Sequence, residues 1–288
     1  MFTIGTFEGD VPQGLAWQSR SVRMVDGFLY GEVNQDGEFT GDDISFIYPD
    51  FLTGLRGTFV GGVLQNASAV DVVAERCNNG VKELRLKPAK YGKGVIWEKE
   101  EMVFSHFGKT RQVMDPHERK SVYIGKSTNP NANEGLFARR KFRSNDLVSY
   151  YSGHRFVKEE NIIQNMTIKE TQISMAYSFA LGKYAPTWWK YPKNLLLDVP
   201  PEFISIVQFR TTLGHKANHK FDNNVEYIAV DHPVLGGIAG LVATADIDVG
   251  EEVFAHYRFG NNVAIDWYME EFRHGVRAPA CFERKKSC

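Results

Sequence analysis

Apolar and polar residues alternate in short runs along most of this chain, which is the pattern of half-buried β-strands. Such runs occur at residues 28–30, 45–48, 81–86, 95–97, 121–124, 147–151 and 252–255. Helical spacing is clear only where Ile265, Tyr268 and Phe272 recur, and His274 with Gly275 forms a good C-terminal stop after them. The pattern therefore predicts a mainly β protein with one short helix near residues 266–272.

A glycine-centred segment repeats within the first sixty residues. Segments that begin at Gly5, Gly31 and Gly57 are 26 residues apart, and further glycines and aspartates mark turns between them. Each unit is predicted to be a β-hairpin, and stacked hairpins can bury a continuous apolar face that one hairpin cannot. A β-meander with coincidental glycine spacing is the alternative.

Composition and charge narrow the possible functions. The chain has 288 residues and a formal net charge of -1, so no strong attraction to nucleic acid or to an anionic membrane is expected. Its three cysteines form no C-x-x-C pair, and no metal site is expected. Without a recognisable signal peptide or membrane span, we expect a monomeric nuclear or cytoplasmic protein.

The stretch Thr212–His219 concentrates polar chemistry in eight positions directly after an apolar run. Taken alone, it is more often a solvated loop than a site, because polar clusters bounded by glycine usually form loops. His219 alone would likewise be a structural histidine. His215 and Lys216 are left open between loop structure and site lining.

Four segments in a fixed order change this interpretation: Asn133–Phe137, Tyr150–Gly153, Gly214–Asn224 and Gly250–Tyr257. The series resembles the SET-domain protein lysine methyltransferases, and the glycine repeats in front of it resemble MORN repeats. The resemblance to the MORN-repeat subgroup covers nearly the whole chain. It implies MORN-type β-hairpin repeats followed by a knotted β-rich SET domain and a short C-terminal helix.

The resemblance also implies S-adenosyl-L-methionine as the methyl donor. It implies cofactor contacts for Ala132, Asn133, Glu134, Asn218, His219 and Trp267. Asn218 and His219 would clamp the cofactor in a threaded segment, residues 132–134 would approach its methionine part, and Trp267 would pack on the adenine. Asn133 stands where the family usually has glycine, although asparagine tolerates positive φ better than most residues.

Three tyrosines are implied to line the channel for the substrate lysine: Tyr151, Tyr227 and Tyr257. Tyrosines suit such a channel because each is an apolar wall with one hydrogen-bonding tip. The resemblance implies a protein substrate, such as a histone tail, and a Tyr at position 227 indicates monomethylation. Ala239 replaces a lysine-type residue that helps to select the peptide in close relatives, so the substrate itself is left open.

The domain organisation follows from these assignments. We expect MORN-like repeats at 1–66, a connecting β-region at 67–116, a SET domain at 117–262 and a cofactor-covering segment at 263–288. The competing function is a catalytically degenerate SET/MORN scaffold, in which the repeats bind partners. The retained Asn218, His219 and channel tyrosines favour the enzyme, since a scaffold does not need them.

Overall fold

The computed structural model describes residues 3–19, 25–78, 81–91, 93–99, 111–157, 179–181, 191–192, 195–200 and 203–257. Strands dominate these ranges, which confirms the predicted mainly β class. None of the helices in the described ranges is long and apolar enough to span a membrane. Trp267 and the predicted C-terminal helix lie outside the described residues.

The N-terminal part forms one antiparallel sheet in which seven strands follow one another in chain order. These strands are β1 (Thr3–Glu8), β2 (Val11–Ser19), β3 (Phe28–Glu32), β4 (Gly41–Ile47), β5 (Thr53–Val60), β6 (Val63–Asn78) and β7 (Val81–Pro88), and β8 (Trp97–Glu98) pairs with β6. The sheet thus continues past residue 66, and the division of the chain into four segments stays a prediction.

The predicted hairpins are confirmed, and the repeated glycines have a physical role in them. Gly5, Gly31 and Gly57 lie in β1, β3 and β5, which are the first strands of three successive hairpins. At Gly57 a Cβ atom would lie 2.2 Å from the backbone oxygen of Asn66 on the paired strand. No larger residue fits so close an approach, so the pairing of β5 with β6 requires glycine at position 57.

The second part is a mixed sheet with the strand order β11-β17-β16-β18-β10-β9. Its strands are β9 (Val122–Lys126), β10 (Glu134–Ala138), β11 (Leu147–Tyr151), β16 (Val225–His232), β17 (Gly236–Ala243) and β18 (Glu252–Ala255). The short strand β15 (Asn218–His219) pairs with β18. A small separate sheet contains β12 (His154–Val157), β13 (Phe179–Ala180) and β14 (Leu195–Asp198).

A short helix, α1 (Pro116–Ser121), joins the two parts and was not predicted. Asp115 is its N-cap and accepts a hydrogen bond from the backbone nitrogen of His117, while Pro116 occupies the first helical turn. Both choices favour a helix start, because Asp satisfies a free N–H and proline has a helical φ. Asp115 is extended, because a following proline disfavours the helical conformation, and the helix begins directly after it.

One hydrophobic core runs through both sheets. Phe46, Tyr48 and Leu55 from the N-terminal sheet join the same buried cluster as Tyr150 and Leu241. The Tyr48 hydroxyl also donates a 2.6 Å hydrogen bond to Asp115 at the start of α1. The N-terminal sheet is therefore packed directly behind the strands that carry the predicted site residues.

Candidate functional site

The strand β15 is held against β18 at the centre of the second sheet. Asn218 and His219 pair in parallel with Phe254 and Ala255. The side-chain amide of Asn224 binds the backbone of β18. Its Nδ2 donates to the backbone oxygen of Glu252 at 2.9 Å, and its Oδ1 accepts from the backbone nitrogen of Phe254 at 2.8 Å. This parallel contact lies where the resemblance implies a threaded segment.

The Asn218 side chain is fixed by three acceptors. Its Nδ2 donates to the backbone oxygen of Glu134 at 2.8 Å, to Ser127 Oγ at 3.0 Å and to Glu252 Oε1 at 3.1 Å. The bond to Glu134 connects β15 directly to β10. Two segments that the sequence assigned to the cofactor are thus in contact.

Glu252 is the hub of these contacts, although its residue type and position in the sequence predicted no role for it. Its buried carboxylate also accepts bonds from Ser127 Oγ at 2.7 Å and from the nitrogen and hydroxyl of Thr128 at 2.7 and 2.5 Å. Burial opposes ionisation, but the bonds from Thr128, Ser127 and Asn218 outweigh it and lower the pKa of Glu252. A charged carboxylate therefore holds the loop before β10 against β15.

The His219 ring lies at the end of β15 and contacts the residues that follow β15 and β18. The backbone nitrogen of Tyr257 donates to its Nδ1 at 3.1 Å, and Phe221 and His256 pack edge-on against it at 4.7 and 5.1 Å between ring centroids. Burial, together with the positive charge that His256 would carry, lowers the pKa of His219 to about 4. The imidazole is therefore neutral near pH 7 and, because Nδ1 accepts, carries its hydrogen on Nε2.

The stretch before β15 is buried, so its interpretation as a solvated loop is wrong. Thr212, His215 and Lys216 are 0%, 5% and 7% exposed, and Gly214–Lys216 forms one turn of 3-10 helix. Burial, followed by the charge of Lys216, lowers the pKa of His215 to about 3. A neutral histidine can be buried here at far lower cost than a charged one.

Lys216 forms an ion pair with Glu134 of β10. Its Nζ lies 2.6 Å from the Oε2 atom of Glu134, whose side chain is about half exposed. Ala132 and Asn133 immediately precede β10, and the backbone nitrogen of Ser127 donates to the Asn133 oxygen at 3.4 Å. Asn133 does not adopt positive φ, because the only non-glycine residues in the described ranges that do so are Phe51 and Asn145. Its backbone is therefore not in the left-handed conformation that favours glycine.

The three predicted channel tyrosines lie in two groups. Tyr257 follows β18 and donates its hydroxyl to the backbone oxygen of Ala217 at 2.9 Å, and its ring lies 5.3 Å from that of His219. Tyr151 on β11 and Tyr227 on β16 form an edge-to-face pair, 6.1 Å apart and nearly perpendicular. Burial raises the pKa of Tyr227 above its ordinary value, so its hydroxyl stays protonated.

Two family models match this chain. One is described as the histone H3 K4-specific methyltransferase SET7 N-terminal region and matches residues 16–80. The other is described as the SET domain and matches residues 133–258, which include the described site residues except Ala132. A curated relative, the histone-lysine N-methyltransferase SETD7 of Halocynthia roretzi, is 28% identical over 286 residues, covering 96% of this chain and 69% of the relative.

Two solved structures show a partial likeness to this chain. The Neurospora SET domain protein DIM-5, a histone lysine methyltransferase, is 20% identical with a TM-score of 0.35, and the match covers 50% of this chain and 55% of that chain. The polycomb repressive complex 2 of Chaetomium thermophilum is 22% identical with a TM-score of 0.35, covering 50% of this chain and 16% of that chain. This chain thus spans about half and about a sixth of their respective lengths.

Proposed function

We propose that this chain is a SET-domain protein lysine methyltransferase of the MORN-repeat subgroup and that it adds one methyl group to the ε-amine of a lysine in a protein substrate. The observation that carries the proposal is the junction of β15 with β18. There Asn218, His219 and Tyr257 are joined by direct contacts. Tyr151 on β11 and Tyr227 on β16 form a second group, an edge-to-face pair on two strands that β17 separates.

The residues around β15 fit S-adenosylmethionine. Its amino-acid end carries one ammonium and one carboxylate, and the Lys216–Glu134 ion pair offers one group of each opposite sign beside the Asn218 amide. The neutral ring of His219 suits contact with an uncharged base better than a cation would. We therefore assign Ala132, Asn133 and Glu134 to the methionine part and Asn218 with His219 to holding the cofactor.

The substrate lysine must react as a neutral amine. A free lysine with a pKa of about 10.4 is deprotonated only about 0.04% of the time at pH 7, which corresponds to roughly 4.6 kcal/mol. An apolar channel that excludes water favours the neutral form. Tyr151 and Tyr227 can form such walls, because their rings are packed together and the hydroxyl of Tyr227 remains uncharged.

When bound, the cofactor supplies an electrophilic methyl group on a sulfonium, so a nitrogen–carbon bond forms while the sulfur–carbon bond breaks and its electron pair goes to sulfur. The substrate ammonium must give one proton to solvent before this attack, and the product nitrogen is then a methylated ammonium. The contribution of this chain is alignment, which can account for several kcal/mol of the barrier. Tyr257 is suited to this role because its hydroxyl is anchored on Ala217, next to the proposed cofactor strand.

The proposed function is tested by calorimetry with S-adenosylmethionine, followed by transfer of a labelled methyl group to histone-tail peptides and to whole-cell lysate. Binding and labelling of a protein lysine are expected. Absence of cofactor binding would leave the scaffold interpretation, and binding without any labelled acceptor would indicate a degenerate enzyme. Neither outcome is compatible with the proposal.

Monomethylation is tested by Tyr227→Phe. We expect the variant to yield dimethylated product in a saturated reaction, because loss of the hydroxyl removes a polar contact for the amine and makes room for a second methyl group. Mass spectrometry of the product peptide measures this change. Tyr123→Phe is the matched control, since Tyr123 stacks on Phe137 in another part of the sheet and should leave the product unchanged. An unaltered product state with Tyr227→Phe would remove the argument for monomethylation.

The rate should depend on pH through the substrate amine. At saturating S-adenosylmethionine, we expect kcat/KM for a lysine peptide to rise about tenfold per pH unit between about pH 7.5 and 9. His219 and His215, with pKa values of about 4 and about 3, are already neutral in this range, and Tyr227 is still protonated. Glu118, with a pKa of about 7, is already mainly ionised. Unfolding curves recorded at each pH control for loss of folded protein. A flat profile would contradict the requirement for a neutral amine.

The substrate is proposed to be a histone tail or another protein with an accessible lysine, encountered in the nucleus or the cytoplasm by a monomeric enzyme. Ala239 on β17 is fully buried and pairs with Tyr151 in the sheet. The lysine-type residue that the resemblance implies for peptide selection is thus replaced by a small buried side chain at this position. For this reason the acceptor screen should extend beyond histone tails.

A further inference from the structure

A fully buried carboxylate lies behind the proposed site. Glu118 of α1 is 0% exposed, and its Oε1 accepts a 2.6 Å hydrogen bond from the backbone nitrogen of Tyr150. Its Oε2 accepts from the backbone nitrogen of Leu213 at 3.2 Å and from Ser149 Oγ at 2.8 Å. One side chain thus binds the backbone of β11 and the backbone that leads towards β15.

These two backbones carry the two halves of the proposed site. Tyr150 directly precedes Tyr151, the proposed wall of the lysine channel. Leu213 directly precedes the 3-10 helix that runs into Asn218 and His219, the proposed cofactor strand. The position of the amine relative to the methyl donor therefore depends on how these backbones are held together.

The backbones cross with almost no free space. A Cβ atom at Gly214 would lie 2.5 Å from the backbone oxygen of Tyr150. Beside this point Thr212 Oγ1 accepts from the Ser152 nitrogen at 3.1 Å and lies 3.0 Å from Ser152 Oγ. Glu118 thus acts at a tight crossing, where its hydrogen bonds and those between Ser152 and Thr212 set the relative position of the two backbones.

Glu118 is itself held by the N-terminal sheet. Asp115 at the start of α1 accepts from the Tyr48 hydroxyl and lies 3.1 Å from Nε2 of His232 on β16. His117 Nδ1 lies 3.0 Å from a carboxylate oxygen of Asp50, which follows β4. Helix α1 is therefore held by Tyr48 and Asp50 of the N-terminal part and by His232 of β16. A buried carboxylate is costly to place, and burial raises the pKa of Glu118 to about 7 despite its hydrogen bonds.

We infer that Glu118 is a positioning residue for methyl transfer, whose carboxylate fixes Tyr151 relative to the Asn218–His219 strand. The inference rests on the proposed function, because it concerns the alignment of amine and methyl donor. In-line displacement is sensitive to alignment, and a shift of about 1 Å can reduce the rate about a hundredfold. Glu118 does not touch the reacting atoms and acts through these two backbones.

The test is Glu118→Gln in the full chain. Gln has the same shape, but its NH2 group cannot accept, so it would face either the Tyr150 or the Leu213 N–H as donor against donor. We expect kcat to fall at least about tenfold, while calorimetry shows one cofactor site per chain and a Kd within about twofold of wild type. Each half of the site stays intact in this variant, and only their relative position changes.

Ser149→Ala is the matched control, because it removes one hydroxyl donor from Glu118 and leaves both backbone bonds in place. Its kcat should stay within about threefold of wild type. If Glu118→Gln does not fold, Glu118→Asp supplies the same measurement, since it keeps both acceptor oxygens but withdraws them by one methylene. The aspartate variant should also lose kcat without losing cofactor affinity.

The outcomes separate this inference from the proposed function. A wild-type protein that transfers no methyl group would refute the proposed function itself. Active wild type with an unchanged kcat in both Glu118 variants would overturn the positioning role. A fall in kcat that is matched by a fall in cofactor stoichiometry or affinity would also overturn it, because Glu118 would then support only folding or cofactor binding.

Discussion

His219→Ala should abolish measurable binding of S-adenosylmethionine, with a loss of affinity of about a hundredfold or more. The ring provides the acceptor for the backbone nitrogen of Tyr257 and packs against Phe221 and His256. Without these contacts β15 and the residues after β18 are no longer held in one geometry, so cofactor binding must supply ordering that the wild type already has. A hundredfold loss of affinity corresponds to about 2.7 kcal/mol of binding free energy. Calorimetry of wild type and variant measures the difference.

A second histidine separates this effect from general damage. His154→Ala removes a half-buried imidazole that lies beside Phe203 and outside the β15–β18 junction, so cofactor affinity should remain within about threefold of wild type. His219→Gln, which can retain an acceptor for the Tyr257 nitrogen, should give an intermediate affinity. Thermal unfolding of each variant reports whether it is folded. Wild-type affinity in folded His219→Ala would exclude β15 as the cofactor strand.

The N-terminal sheet could be predicted because its signals are local. Strand alternation and the glycine period at Gly5, Gly31 and Gly57 depend on residues that pair with near neighbours along the chain. Helix α1 was missed for the opposite reason, since six residues are too short for hydrophobic periodicity to show. Its only local signals were Asp115 as N-cap and Pro116 in the first turn.

The site was only partly predictable, because its contacts join distant parts of the chain. Asn218 and His219 could be found from the order and spacing of motifs. The partners of Glu252 could not, since Ser127 lies 125 residues away in sequence. Lys216 stayed ambiguous for the same reason, as its ion-pair partner Glu134 is 82 residues away. Residue type identified candidate groups, whereas the sheet topology determined which of them meet.

Glu252, the first residue of β18, shows what the burial of a strand residue could have revealed. It directly follows Glu251, which lies outside the strand. Glu251 is exposed and Glu252 is 4% exposed. A carboxylate at a buried strand position requires donors, and this requirement alone marks Glu252 as a residue with a specific role.

Glu252→Ala should therefore weaken both the fold and the site. The change leaves Ser127 Oγ, the Thr128 nitrogen and Asn218 Nδ2 without their common acceptor, which should lower the free energy of unfolding by about 3 kcal/mol. Cofactor affinity should fall about tenfold or more, because the Asn218 amide loses one of its three acceptors and the loop with Ser127 and Thr128 is no longer held against β15. Denaturant unfolding and calorimetry measure the two effects.

Glu251→Ala is the matched control for this change, because its exposed carboxylate only accepts from the Asp248 nitrogen at 3.0 Å and weakly from Asn224 at 3.4 Å. Glu251→Ala should lower the free energy of unfolding by about 1 kcal/mol or less and leave cofactor affinity unchanged. Acid should reproduce the effect of Glu252→Ala in the wild type. Because the pKa of Glu252 is lowered in the folded protein, its stabilisation is present above the ordinary glutamate pKa and is lost as pH falls through the folded value. Equal losses in the two alanine variants would contradict the assignment of Glu252 as the hub that holds the loop before β10 against β15.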